Sequence, residues 1–349
     1  MEIYIKINKI KVKVSTNYDF YFRYIKLHFN KVIIPSGGDD FDISISADWV
    51  SSSLKLKTEG QASKIAANTV MGPNKITTIR KIKKRKKVKI SFELKGKRLM
   101  LSAESRFKAF KDTLRYRVLN QPQDSYFFEL TYALVYYPVF WYLGYFFRTY
   151  PIHASAVRVK DKAVVLYGME GSGKTTLSLM LAGNEQADFL SDNIIFFDGE
   201  KIYPCYEPVR LHKDRNNHLW SKDFKKINRF RTPKDFYEPA FCIPDAGTEP
   251  GMIIFLRFTR RFFVSELPVG NCRHRIINSN LLVQELGNYV WYAAIMNLLV
   301  DDYSFHKIYA ERLEALLSKL KRYDIGMAKA DGINVAFNKI NEIISDNIG

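Results

Sequence analysis

Residues Leu166–Ala182 read LYGMEGSGKTTLSLMLA, and Gly168, Gly173, Lys174 and Thr175 in it satisfy the phosphate-loop pattern G-x-x-x-x-G-K-[ST], or Walker A motif. The flanks fit the motif. Ala163–Tyr167 (AVVLY) is a short apolar run suited to a buried parallel strand, and Thr175–Ala182 has helical apolar spacing. Strand, glycine loop and helix in that order predict a P-loop. Such a loop, here Gly168, Met169, Glu170, Gly171, Ser172 and Gly173 followed by Lys174, Thr175 and Thr176, is expected to cradle the phosphates of ATP. Lys174 would reach the β- and γ-phosphates, and the Thr175 hydroxyl would ligate Mg²⁺. The alternative is a glycine-rich turn that binds nothing.

The 349-residue chain is 47% hydrophobic, enough for one large or two ordinary domains. Its net charge is +18, and Lys75–Arg98 holds twelve basic residues against Glu93 alone, so +11 of that charge lies in one short segment. Nucleic acid through Lys81–Lys89, an anionic membrane surface and an acidic peptide are candidate partners for it. A plainer reading is a solvated edge strand whose lysines block edge pairing, with Val88, Ile90, Phe92 and Leu94 buried and Lys87 and Lys89 outside. Cys205, Cys242 and Cys272 match no metal spacing, and their odd count argues against a disulfide framework; a cytoplasmic setting is expected. Leu130–Phe147 has 18 uncharged residues, but five tyrosines and Pro138 favour a buried or kinked helix over a membrane span.

Alternating apolar residues in Glu2–Val14, Phe41–Trp49 and Lys87–Leu94, the last with a hairpin turn at Lys95–Lys97, predict a mostly antiparallel β domain over residues 1–124. Residues 125–349 read as α/β. Strands are expected at Gly251–Phe258 and within Phe189–Asp214, helices at Ser279–Val300, Ala310–Lys321 and Asn334–Ile344, and a long loop with short helices over 215–250.

A P-loop kinase places an acidic group on a second strand, and Asp192 follows Lys174 by 18 residues. Together with IHASAV (Ile152–Val157), LSDN (Leu190–Asn193) and EPVRL (Glu207–Leu211), this spacing resembles the HPr kinase/phosphorylase family over roughly residues 125–345. The resemblance is to its branch outside sugar regulation, which includes peptide-modifying kinases. It implies a C-terminal domain of the HPr kinase/phosphoenolpyruvate carboxykinase type. It also implies an ATP- and Mg²⁺-dependent phosphotransferase acting on an alcohol group of a peptide, protein or small molecule. By motif position, Asp192 is implied to be the catalytic base and to sit at the metal, and His153 to lie near the phosphates. Ala154 and Asn193 depart from the family's Gly and second Asp, and the glycine run of its HPr-specific signature is absent, so HPr and phosphorolysis are not expected. Arg210 could clamp phosphate or pair with Glu207, while Arg257, Arg260 and Arg261 form either a phosphate-facing rim or a solvated turn. Two other readings stand beside a kinase of peptides or small molecules: an NTP-binding, nucleic-acid-associated regulator without transfer, and a kinase whose acceptor is RNA. A homo-oligomer is a candidate assembly.

Overall fold

The computed structural model describes every residue except 39, 57–61, 84–85, 107–123, 184–186, 213–224, 229–233, 239–246, 303, 329–331 and 349. Lys84, Arg85, Cys242 and most of the loop expected at 215–250 therefore lie outside the described residues. The chain is mixed α/β with several sheets and divides into two units. The first comprises Met1–Leu143 and Trp291–Tyr303, and the second Gly144–Asn228, Lys234–Val290 and Ser304–Gly349. The division falls after Leu143 rather than at 124, within the long aromatic helix, and a C-terminal stretch joins the first unit.

In the first unit, the strands are β1 (Glu2–Ile7), β2 (Ile10–Thr16), β3 (Ile33–Ile34), β4 (Ile43–Val50), β5 (Ser63–Ala66), β6 (Thr69–Met71), β7 (Lys75–Lys83), β8 (Lys86–Lys95) and β9 (Arg98–Arg106). They form one sheet in the order β3-β1-β2-β4-β9-β8-β7-β6-β5. Its pairings are antiparallel except β2–β4 and β4–β9, which are parallel. The alternation read across Glu2–Val14 is broken into a hairpin, because Asn8 takes the left-handed conformation (φ 56°) that a two-residue turn requires. Ile3, Ile5, Ile7, Val88, Ile90 and Phe92 are buried, whereas Leu94 is only half-buried. The structure corrects the edge-strand reading: β8 lies between β9 and β7, and β7 between β8 and β6.

Helix α1 (Asp19–His28) buries Tyr21, Tyr24, Ile25 and His28. The aromatic run forms α2 (Asp124–Thr131), a π-helical turn (Tyr132–Tyr136) and α3 (Tyr137–Phe147). Pro138 accounts for the wide turn. It has no N–H, and its ring would collide with the Leu134 carbonyl in an ordinary helix, so the preceding turn loosens. Leu130–Leu143 is buried throughout, and Trp141 donates its indole N–H to Asn297 Oδ1 (2.8 Å). No helix among the described residues is long and apolar enough to cross a membrane.

The strands of the second unit are β10 (Tyr150–Ile152), β11 (Ser155–Val159), β12 (Lys162–Tyr167), β13 (Ala187–Ser191), β14 (Ile195–Phe197), β15 (Ile202–Pro204), β16 (Val209–His212), β17 (Lys225–Asn228), β18 (Lys234–Glu238), β19 (Glu249–Thr259), β20 (Phe263–Glu266) and β21 (Lys321–Ala328). Its helices are α4 (Lys174–Ala182), α5 (Val269–Leu282), α6 (Gln284–Asn297, which continues into the first unit), α7 (Phe305–Lys319) and α8 (Gly332–Ile348). The helix expected at Ser279–Val300 is thus two, broken where Val283 turns extended (φ −80°, ψ 126°). The central sheet runs β13-β11-β12-β19-β21-β20. Strand β12 is parallel to β19, and β19 to β21, while the remaining pairings are antiparallel.

Both faces of this sheet are covered, which is why β12 is apolar without alternation. Ala163, Val165 and Tyr167 pack with Cys272 and Ile276 of α5 and Leu313, Leu316 and Leu317 of α7. Val164 and Leu166 pack with Leu177 and Leu181 of α4 and Ala336, Ile340 and Ile343 of α8. Each fully buried aliphatic side chain contributes about 1.5–3 kcal/mol. This double-sided core holds the ends of the strands in place.

Candidate functional site

Strand β12 ends at Tyr167, and the chain turns through Gly168–Gly173 into α4. Space explains Gly168: a Cβ there would stand 2.5 Å from the Leu256 carbonyl oxygen and 2.5 Å from Ser172 Oγ. Conformation explains Gly171 and Gly173, whose φ values of 81° and 92° are left-handed. The Ser172 N–H donates to the Met169 carbonyl (3.1 Å), closing the turn. Gly173 caps α4 without a side chain, so its first-turn amides have no side-chain acceptor at the cap. Lys174 is the first residue of α4. It is buried, and its ammonium donates to the carbonyls of Gly168 (2.6 Å) and Met169 (3.1 Å), folding over the loop. Met169 and Glu170 are exposed, while Thr175 and Thr176 are half-buried.

Strand register gathers the other residues. Ser155 lies opposite Leu166, and Ala156 opposite Ser191. His153, just before β11, and Asp192, just after β13, therefore stand at the same end of the sheet as the loop. That end is formed by the carboxyl ends of β12, β19 and β21, the place where open α/β sheets bind ligands. Asp192 is buried; Ser155 Oγ donates to its backbone carbonyl and lies 3.3 Å from its Oδ1. Asn193 donates its side-chain amide to Glu207 Oε2 (3.0 Å), both being buried.

Arg210 is held by two carboxylates, with Nη2 3.1 Å from Glu285 Oε1 and Nε 3.9 Å from Glu207 Oε1. It therefore does form the ion pair with Glu207, but its side chain is only 21% exposed. Arg257 is engaged with the buried carboxylate of Asp324 (2.8 Å), which Arg275 also reaches (3.0 Å). Arg260 and Arg261 are exposed in the turn after β19. Asp188 lies on β13 and pairs with Arg158.

His153 is buried, and its backbone N–H donates to Asn280 Oδ1 (3.4 Å). Burial, followed by the charges of Lys174 and Arg210, pushes its pKa down from 6.5 to about 3, against a weaker opposing pull from Glu170. Its Nδ1 and Ser172 Oγ are buried polar atoms with no hydrogen-bond partner among the described residues. The Ser172 hydroxyl can donate to a phosphate oxygen beside the glycine loop and the buried ammonium, whereas the ring of neutral His153 donates to the Asn193 carbonyl, which leaves Nδ1 as an acceptor for a hydroxyl. Among the described residues, no three His, Cys, Asp or Glu side chains converge as a metal site. Thr175 and Asp192 could hold Mg²⁺ only together with phosphate oxygens. Burial raises the thiol pKa of Cys205 and Cys272, the latter to about 11, so neither is poised as a nucleophile.

The state of His153 has a measurable consequence. The folded chain keeps it neutral down to about pH 3, whereas the unfolded chain protonates it below its ordinary 6.5. Between those values the unfolded state binds more protons, so stability falls as pH drops through the window, by on the order of 1.4 kcal/mol per unit at most. Above pH 6.5 the contribution is constant. His153→Asn is expected to lose less melting temperature than wild type between pH 7 and pH 4. An imidazole NMR signal of His153 titrating near pH 6.5 would contradict the assignment.

Ser155, Asn280 and Glu285, which position Asp192, His153 and Arg210, escaped the reading of the sequence. Ser155 carried a local signal, lying two residues after His153 on an alternating strand. Asn280 and Glu285 lie far along the chain, and only the fold brings them in. No protein-family model and no curated protein matches this chain.

Proposed function

We propose that the protein is an ATP- and Mg²⁺-dependent kinase that transfers the γ-phosphate to a hydroxyl of a peptide, protein or small molecule, working in the cytoplasm through a P-loop domain of the HPr kinase-like type. The observation that carries this reading is the gathering, at the carboxyl ends of one sheet, of the Gly168–Lys174 loop, buried Asp192 and buried His153. In this reading, the backbone of Gly168–Gly173 and the first turn of α4 bind phosphate oxygens, and Lys174 leaves its two carbonyls for the β- and γ-phosphates. Thr175 and Asp192 would hold Mg²⁺ together with phosphate oxygens, and the ion would supply positive charge there. Asp192, oriented by Ser155, accepts the acceptor's proton or aims its hydroxyl. Neutral His153 can accept a hydrogen bond from a hydroxyl at Nδ1 without adding charge, and Arg210, held between Glu207 and Glu285, adds a cation beside it.

A second reading keeps the nucleotide and drops the transfer. Asn193 stands where the resembling family has its second carboxylate, and it is tied to Glu207. One experiment separates the two: incubation with γ-labelled ATP, Mg²⁺ and a fractionated cell extract. The kinase reading expects label on a discrete acceptor. Label that stays on ATP in every fraction, with ATP bound, would leave a nucleotide-binding regulator.

A further inference from the structure

We infer that the solvent face of the nine-stranded sheet binds nucleic acid through its phosphodiester backbone, without reading sequence. This rests on the first unit alone and is independent of the transfer reaction. Because β7 and β8 are interior strands, their lysines do not serve to protect an edge. Lys81 lies directly opposite Lys87, and the register Val88–Ser105 places Arg106 next in the same row on β9. All three are exposed. Like charges directly opposite each other across strands are destabilising, and no carboxylate pairs with these three among the described residues.

The rest of the face is different. Lys13 pairs with Glu2 (3.1 Å), Lys89 with Glu104 (3.0 Å) and Lys95 with Glu93 (3.3 Å). The buried side of the hairpin also absorbs its cations: the Arg80 guanidinium lies 3.8 Å from the Trp291 ring centroid, and the Lys86 ammonium 4.4 Å from that of Tyr126. Among the described residues on this face of β7–β9, the cations with no carboxylate ion pair are this row and, at the far end of the strands, Lys75 and Arg98, the latter lying over the Phe41 ring. Four residues along the strands, a row of hydroxyls runs in register across five strands: Ser15, Ser46, Ser102, Ser91 and Thr77. Ser102 is exposed, while Ser15 donates to the Ile45 carbonyl, Ser46 donates to Asp48 Oδ2, and Thr77 is bonded to the buried Ser91. At about 4.8 Å between strands, the row spans about 19 Å.

Exposed cations such as Lys81, Lys87 and Arg106, with the exposed Ser102 hydroxyl on the same face, are groups that hold phosphate backbones. The solvent-face positions of β7–β9 carry no aromatic residue to stack on a base or anchor in a lipid interface. Backbone contact without sequence preference is the chemistry that remains.

The test is fluorescence anisotropy of the full chain with a labelled mixed-sequence DNA duplex and a scrambled counterpart, over a range of salt. Both duplexes are expected to bind alike. The combined Lys81→Ser, Lys87→Ser and Arg106→Ser variant should flatten the log–log salt slope by about 2.7, three phosphate contacts at about 0.9 each. Lys13→Ser with Lys95→Ser, which removes already paired cations from the same face, should leave the slope nearly unchanged. The proposal is overturned by absence of duplex binding at low salt, by an unchanged slope in the triple variant, or by an equal loss in the control. Capture by phosphatidylserine vesicles without duplex binding would reassign the face to a membrane surface and overturn it as well.

Discussion

Lys174→Ala is expected to lower ATP affinity by about 10²-fold or more and to abolish phosphoryl transfer. The Lys174 ammonium is buried at the start of α4 and spans the loop to the carbonyls of Gly168 and Met169. Each charge-assisted hydrogen bond to phosphate is worth about 1.5–3 kcal/mol, and two of them correspond to at least two decades of affinity. The variant should still fold. It loses two charge-assisted bonds to carbonyls at the mouth of the loop, a cost of about 3–6 kcal/mol before water takes their place, while the double-sided core is untouched. Calorimetric titration reads the affinity directly. The rise in melting temperature that saturating ATP gives wild type should be missing as well. Unchanged affinity in a folded variant would remove the loop from the nucleotide site.

Asp192→Asn is expected to separate binding from transfer. Asp192 is buried after β13, and Ser155 orients it through its backbone carbonyl and Oδ1. Asparagine keeps the shape and can still accept from Ser155 through its side-chain oxygen, so the local fold should survive. It loses the basicity. Transfer should fall by about 10²–10⁴, the usual worth of a positioned base, with ATP affinity little changed. If Asp192 acts chiefly on the metal, Mg²⁺ dependence should shift and ATP affinity should weaken with it.

The strand and helix around Lys174 were legible because the signal is local: an apolar run, fixed glycines and a helix start lie within one short stretch. The hairpin at Lys95–Lys97 was legible for the same reason. What was lost was non-local. Nothing near Lys87 says which strand pairs with it, so β8 read as an edge when it is interior. The parallel pairings of β4 with β2 and β9 join segments remote in sequence. The strand Lys321–Ala328 was missed because it follows α7 with no glycine or proline between, and the helical pattern of the sequence runs on into Lys321. Of the candidate site, the motif residues were readable from type and spacing, whereas their supports Asn280 and Glu285 depend on α5 and α6 folding back over the sheet end.

The central claim is that phosphate bound at Lys174 is handed on with the help of Asp192. The most direct measurement follows ATP affinity and the fate of the γ-phosphate on matched preparations of wild type, Lys174→Ala and Asp192→Asn. The expected result is binding and transfer in wild type, neither in Lys174→Ala, and binding without appreciable transfer in Asp192→Asn. Transfer at the wild-type rate in Asp192→Asn would contradict the account.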